Sequence, residues 1–306
     1  MTASTGSNDL LRPFQLERSG IRGRFVRLSD TIDYVLKAHA YPEPVGRLLG
    51  ELLVLAGGLA GGLKFDGKFS LQLRGGGPVG LMVADCTNDG VMRGYASFDE
   101  EKLAAAPAAD RGALLGDGVL ALTVDQREAG GELSQGIVQL QGTSLVDSML
   151  TYFRQSEQIR TGISTAVRRD PASGAWEGGA IVLQALPASG QEALEAEEAW
   201  REAMLLLHTA REEELTDPAL SPDSVLFRLF HEHGVRVYDP LELRPGCSCD
   251  EERVRVMLER FSAEDLEHMR LADGSIEATC QFCSRSYGFD ADTVAGLIAR
   301  AAPTAH

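Results

Sequence analysis

Four of the five cysteines stand in two close pairs near the C-terminus, Cys247 and Cys249 in "PGCSCDEER" and Cys280 and Cys283 in "TCQFCSR", with thirty residues between the pairs. This pattern constrains the local fold more tightly than any apolar periodicity. Four thiolates suit a tetrahedral zinc ion, and two short hairpins that each donate a cysteine pair are a common way to build its site. C-x-x-C with a distant second pair is a strong metal signal; C-x-C is rarer but delivers two ligands from one tight bend. The intervening "DEERVRVMLERFSAEDLEHM" reads as helical, and Tyr287 and Phe289 suggest a short strand before a last helix. Residues 235–306 are therefore expected to form a small zinc-binding domain. Its core is thin, and structural zinc can contribute on the order of 10 kcal/mol to such a fold. A dithiol oxidoreductase would set its C-x-x-C at the start of a helix in a βαβ unit, which is not the setting here. His231 and His233 precede the cysteines, but four thiols already complete a ligand set, and a helix end is the expected place for both histidines.

The rest of the chain narrows the function by exclusion. At 306 residues and 44% hydrophobic content it can bury one sizeable core and a second, smaller one. A net charge of −16, from 29 basic and 45 acidic residues, disfavours a nucleic-acid partner. No secretory signal is legible in "MTASTGSNDLLRPFQLERSG", so a cytoplasmic location is expected, where clustered cysteines bind metal or do redox work. The apolar run at 48–63 is too short for a bilayer and is broken by Glu51 and glycines, which suits a buried helix and no membrane partner. "GLKFDGKF" approaches a phosphate loop, but Phe69 stands where a magnesium-binding hydroxyl is required, so no nucleotide is expected. Cys86, beside a hairpin turn, reads as a small buried residue.

Residues 20–28 alternate like a half-buried strand, and Ser29 is placed to cap a helix through "DTIDYVLKAHA". Pro42 and Pro44 end that helix; the next runs to about Leu63. Strand-like segments follow at 69–75, 79–86, 91–98, 119–125 and 136–142, with hairpin chemistry in "CTNDGV" between the second and third. A helix from about Ser144 to Ser156 precedes two more strands, "IRTGISTAVRR" and "GGAIVLQAL". Residues 1–187 are thus expected to form an α+β domain on a largely antiparallel sheet.

Residues 188–234 read as an acidic helical connector. Ser189 and Glu192 make a capping-box signature, and the pattern stays helical until Asp217-Pro218. Ala193, Ala196, Trp200, Ala203, Met204 and Leu207 share one face; a second helix, from Ser221-Pro222 to Gly234, carries Val225, Leu226, Leu229 and Phe230 on one side. Eleven acidic and three basic residues between Gln191 and Glu232 give a net charge of −8, half the total. One reading is a solvated helix packed on the core. The other is a detachable element, with Trp200, Met204, Leu207, Leu226, Leu229 and Phe230 as candidate contacts for client proteins.

The cysteine arrangement closely resembles that of the 33 kDa chaperonin family, the redox-regulated heat-shock holdases of bacteria. "YFRQSEQI" (152–159), "GIVQLQG", "GGAIVLQALP", "CSCDEERV" and "CQFCSRSYGF" extend the match along nearly the full chain. The resemblance implies a chaperone without catalytic turnover, dormant while Cys247, Cys249, Cys280 and Cys283 hold one Zn2+, that captures unfolding proteins after oxidation. It also implies disulfides joining Cys247 to Cys249 and Cys280 to Cys283, zinc release, unfolding of the tail and connector, and an oxidised homodimer. The spacing supplies a physical reason: a shared ion ties two pairs across thirty residues, a closure worth roughly 3 to 4 kcal/mol, whereas the two disulfides are local and restrain almost none of the chain. The alternatives are a constitutive zinc-stabilised interaction module and a thiol oxidoreductase.

Overall fold

The computed structural model describes residues 8–106, 111–141, 144–187 and 192–301. It opens with an antiparallel hairpin, β1 (Leu10–Leu16) and β2 (Ile21–Leu28), followed by helix α1 (Asp30–Lys37). Ser29 occupies the N-cap position, but its hydroxyl makes no capping bond and is buried without a partner. The capping acceptor is Asp9, whose carboxylate takes the backbone N–H groups of Ser29, Asp30 (3.1 Å) and Thr31 (2.5 Å). A carboxylate reaching in from the residue just before β1 thus does what the local serine was expected to do.

Helix α2 (Glu43–Ala60) is the predicted buried helix. Its residues from Leu48 to Ala60 are all buried, because strands of two different sheets pack around it. The antiparallel strands expected from the sequence are present, but they divide between these two sheets instead of sharing one. β3 (Lys68–Gly75), β4 (Val79–Thr87), β5 (Val91–Phe98), β6 (Asp117–Asp125) and β7 (Leu133–Gln141) form one sheet in the order β5-β4-β3-β6-β7. Short helices α3 (Glu100–Ala105) and α4 (Arg111–Leu115) lie between β5 and β6. Gly142, the last residue of the expected strand at 136–142, lies outside the described residues. Helix α5 (Leu145–Tyr152), capped by Ser144, leads through a π-helical turn (Phe153–Glu157) to β8 (Thr161–Arg169) and β9 (Trp176–Ala185), which join β1 and β2 in the other sheet. Alternation drives each strand to show one face to the α2 layer, as in Phe69, Leu71 and Leu73 of β3. Cys86 is buried as expected, and burial pushes its thiol up to about 12. Among the described residues no helix is long and apolar enough to cross a membrane.

The connector folds as α6 (Glu192–Leu207), α7 (Glu212–Thr216) and α8 (Pro222–Phe230), and the Ser189 capping signature lies outside the described residues. Its apolar stripe forms a second core with Phe14, Ile21, Phe25, Ile181 and Leu183 of the β1-β2-β9-β8 sheet. Arg27 of β2, fully buried, pins it: its guanidinium donates to the carbonyls of Glu214 (2.9 Å), Leu215 (3.2 Å) and Leu220. Gly179 of β9 lets the chain come close, since a Cβ there would stand 2.1 Å from the Leu215 carbonyl oxygen.

The chain divides into two compact units between Gly246 and Cys247, whereas the sequence reading began the C-terminal domain at 235. The difference has a physical cause: β10 (Val235–Val237) and β11 (Leu241–Glu242) pair with β1, and β12 (Arg244–Pro245) pairs in parallel with β5, so backbone bonding holds residues 235–246 to the first unit. In the second unit the expected helical stretch is broken into α9 (Glu251–Leu258) and α10 (Ala263–Met269) by a capping box at Ser262 and Asp265. Hairpin β13 (Ile276–Thr279) and β14 (Ser286–Phe289) and helix α11 (Ala291–Arg300) complete it.

Two substitutions check this packing. Asp9→Ala is expected to cost about 1–2 kcal/mol in urea unfolding by removing the cap of α1, with Asp9→Asn recovering part of the loss. Gly179→Ala is expected to speed amide hydrogen exchange through Glu212–Thr216 and leave β3 to β7 protected, because the added methyl group meets backbone that must move.

Candidate metal centre

Cys247 and Cys249 lie just before α9, which starts at the Asp250 cap, where the Arg253 N–H bonds the Asp250 carboxylate at 2.7 Å. Cys280 and Cys283 occupy the tip of the β13-β14 hairpin. That tip is closed by Cys280 N–H to the Arg285 carbonyl (2.9 Å) and Ser284 N–H to the Cys280 carbonyl (2.9 Å), with Ser284 left-handed at φ 55°. The two loops bring all four Sγ atoms within 4.8 Å of one another, a group that could hold a metal ion. Cys247 Sγ lies 3.7 Å from Cys280 Sγ and Cys249 Sγ lies 3.3 Å from Cys283 Sγ. For comparison, a tetrahedron with metal–sulfur bonds of about 2.3 Å has edges of about 3.8 Å. All four cysteines are free thiols and half-buried.

The electrostatics suit a bound cation. Burial pushes the Cys247, Cys249 and Cys283 thiols up. At Cys280 burial is outweighed by the backbone N–H groups of Cys283 and Phe282, which help bring that thiol down to about 7. Clustered sulfurs cannot all ionise side by side, and a bound cation removes that conflict. The donor set therefore fits a soft-ligand metal. Sequence reasoning missed the surrounding shell. The Tyr287 hydroxyl sits 3.0 Å from the Cys249 carbonyl oxygen and 3.2 Å from its Sγ, placed to donate to either. Only its position four residues after Cys283, on the strand leaving the hairpin tip, hinted at this role.

Other residues singled out in the sequence take different places. The His233 ring nitrogen Nδ1 lies 2.6 Å from the Ser19 hydroxyl in a buried contact, and His231 Nδ1 lies 3.2 Å from the Phe227 carbonyl oxygen; both follow α8, at a helix end. Leu207, Leu226, Leu229 and Phe230 are buried, and Trp200 and Met204 half-buried, in the core that the connector shares with the sheet, so none of the six is presented as an open surface.

Comparison with known proteins agrees with this architecture. The family model "Hsp33 protein" matches residues 9–290. The chain is 41% identical over 293 residues to the 33 kDa chaperonin of Caulobacter vibrioides, covering 92% of this chain and 95% of that one. It is 40% identical over 295 residues to the 33 kDa chaperonin of Pseudomonas fluorescens, covering 96% and 94%. The crystal structure of the 33 kDa chaperonin (Heat shock protein 33 homolog) of Thermotoga maritima superposes with a TM-score of 0.77 at 22% identity, over 96% of this chain and 98% of that one, and so shares the fold. With its family match spanning both units and its four cysteines gathered into one cluster, the chain belongs to the Hsp33 family.

Proposed function

We propose that this chain is a cytoplasmic, redox-switched chaperone of the holdase type, in which Cys247, Cys249, Cys280 and Cys283 hold one Zn2+ while reduced. The observation that carries the reading is the convergence of four sulfurs from two distant loops on a unit with a small core. When bound, the ion neutralises clustered thiolates and ties the loops together. Everything else is done by the chain. Tyr287 orients Cys249, and the turns before α9 and at the hairpin tip aim the sulfurs at a common point. Under oxidation Cys247 bonds to Cys249 and Cys280 to Cys283. Each pair of thiols gives two electrons and two protons to a peroxide, which leaves as two waters.

Both new bonds are local, so the thirty-residue closure is lost and the second unit loosens. The connector then follows, and its apolar face, with Trp200, Met204, Leu207, Leu226, Leu229 and Phe230, becomes available to unfolded clients, with glutamates keeping the complex soluble. The oxidised chain acts as a homodimer, with no turnover and no nucleotide. A second reading has its own observation. The sulfur contacts of 3.7 Å and 3.3 Å join different pairs, and a metal kept by all four sulfurs under oxidant would preserve the clasp and leave the connector folded, as in a constitutive zinc-stabilised interaction module.

Two experiments test the switch. Light scattering from a thermolabile client enzyme is expected to fall to near baseline with peroxide-treated protein and to be unaffected by the reduced, zinc-loaded form. Peptide mapping of the active sample is expected to recover only bonds within each pair. Equal protection by the reduced form, or bonds between pairs with 247–301 still protected from exchange, refutes it. Tyr287→Phe is expected to weaken zinc binding about tenfold in competition with a chromophoric chelator, because Cys249 loses its hydrogen-bond donor.

A further inference from the structure

A cavity in the first unit has no part in the thiol switch. It measures about 280 Å³ and lies between the two sheets, walled by Phe69 of β3, Leu122 of β6 and Phe153, with Tyr152, the last residue of α5, and Glu157 of the π-helical turn also lining it. That turn is the "YFRQSEQ" run, and it is held in an uncommon geometry: Gln158 is left-handed at φ 55°, and the Tyr152 hydroxyl donates to Glu157 Oε1 at 2.6 Å. π-helical turns inside α-helices concentrate at functional sites.

The polar wall is Arg24 of β2, which is 7% exposed. Its Nη2 donates to Gln184 Oε1 at 2.7 Å, and among the described residues no carboxylate lies within ion-pair distance of it. Arg27 on the same strand, by contrast, directs its guanidinium at three carbonyls. Burial brings Arg24 down to about 10, so it is still a cation at neutral pH. Room for the guanidinium is made by Gly62, where a Cβ would stand 2.2 Å from Arg24 Cζ. A buried cation facing an apolar cavity in a chain of net charge −16 lacks a counterion, and an anion with an apolar body supplies both the charge and the filling. Glu157, exposed at the rim, disfavours a second negative charge on the ligand.

We propose that this cavity binds a small apolar monocarboxylate, its carboxylate paired with the Arg24 guanidinium and its hydrocarbon or aryl body between Phe69, Leu122 and Phe153. The same chemistry is offered by a free organic acid and by the C-terminal carboxylate of a peptide ending in an apolar residue.

The test is calorimetric titration of the full, reduced, zinc-loaded chain with 3-phenylpropionate, with 3-phenylpropanamide as the neutral isostere. The acid is expected to bind saturably, and the amide at least about tenfold more weakly, the difference that a charge-assisted pair makes. Arg24→Gln is expected to weaken the acid by a similar factor. Ser134→Leu, which narrows the cavity from β7 and leaves Arg24 in place, is expected to weaken acid and amide alike and decides the matter if Arg24→Gln does not fold. Competition by a peptide ending in phenylalanine with a free carboxylate, but not by its C-terminal amide, assigns the site to chain ends; binding of the free acid without such competition assigns it to small acids. Equal affinity for acid and amide, wild-type affinity in Ser134→Leu, or no saturable binding at millimolar concentration overturns the proposal.

Discussion

Six buried apolar side chains, Leu258, Leu266, Ile276, Phe289, Val294 and Leu297, are what the described part of the second unit has to hold three helices and a hairpin together. A segment of that size cannot rest on so small a core. A metal held where the four sulfurs meet would supply the tie that so small a core lacks, and the local structure around the cysteines brings that meeting about. The Asp250 cap sets the start of α9 directly after Cys249, and the β13-β14 register from Ile276 paired with Phe289 to Thr279 paired with Ser286 puts Cys280 and Cys283 on one tight tip. A fold that leans on one cluster is conditional on the chemistry of that cluster, which is the property a switch requires.

The connector is conditional in another way. Its apolar stripe is well buried on the sheet, yet its other face is crowded with acidic side chains, answered by scattered cations such as Arg160 and Arg201 at Glu197, Arg228 at Glu214 and Arg12 at Asp223. Solvent-exposed pairs such as those at Glu197 contribute little. What holds the element is the apolar contact together with the Arg27 guanidinium on three of its carbonyls. The two readings of the connector, packed surface helix and detachable element, thus describe one surface: in this structure it is packed, and the side chains proposed to meet clients are the same ones that do the packing.

Legibility followed the range of the forces involved. The strands from Lys68 to Gln141 were visible because alternation and the Asn88-Asp89-Gly90 turn are local signals, and α2 was visible because its residues are apolar on every side. β1 escaped because Pro13 interrupts its pattern, although its neighbours β2, β10 and β11 pair around it. The true cap of α1, Asp9, stands about twenty residues from the helix it caps, beyond the reach of a motif. By contrast, the break between α9 and α10 was written locally in Ser262 and Asp265 but was masked by the continuous charge pattern around it.

By itself the sequence determined which four cysteines group in close pairs, the antiparallel character of the first domain and the acidity of the connector, because spacing, alternation and charge are properties of neighbouring residues. Only the tertiary structure decided that the strands divide into two sheets around α2, that residues 235–246 complete those sheets, that Tyr287 supports Cys249, and that Arg24 faces a cavity without a carboxylate partner. Each of these is a contact between segments far apart in the chain, and no local pattern specifies which distant residue will fill a given space.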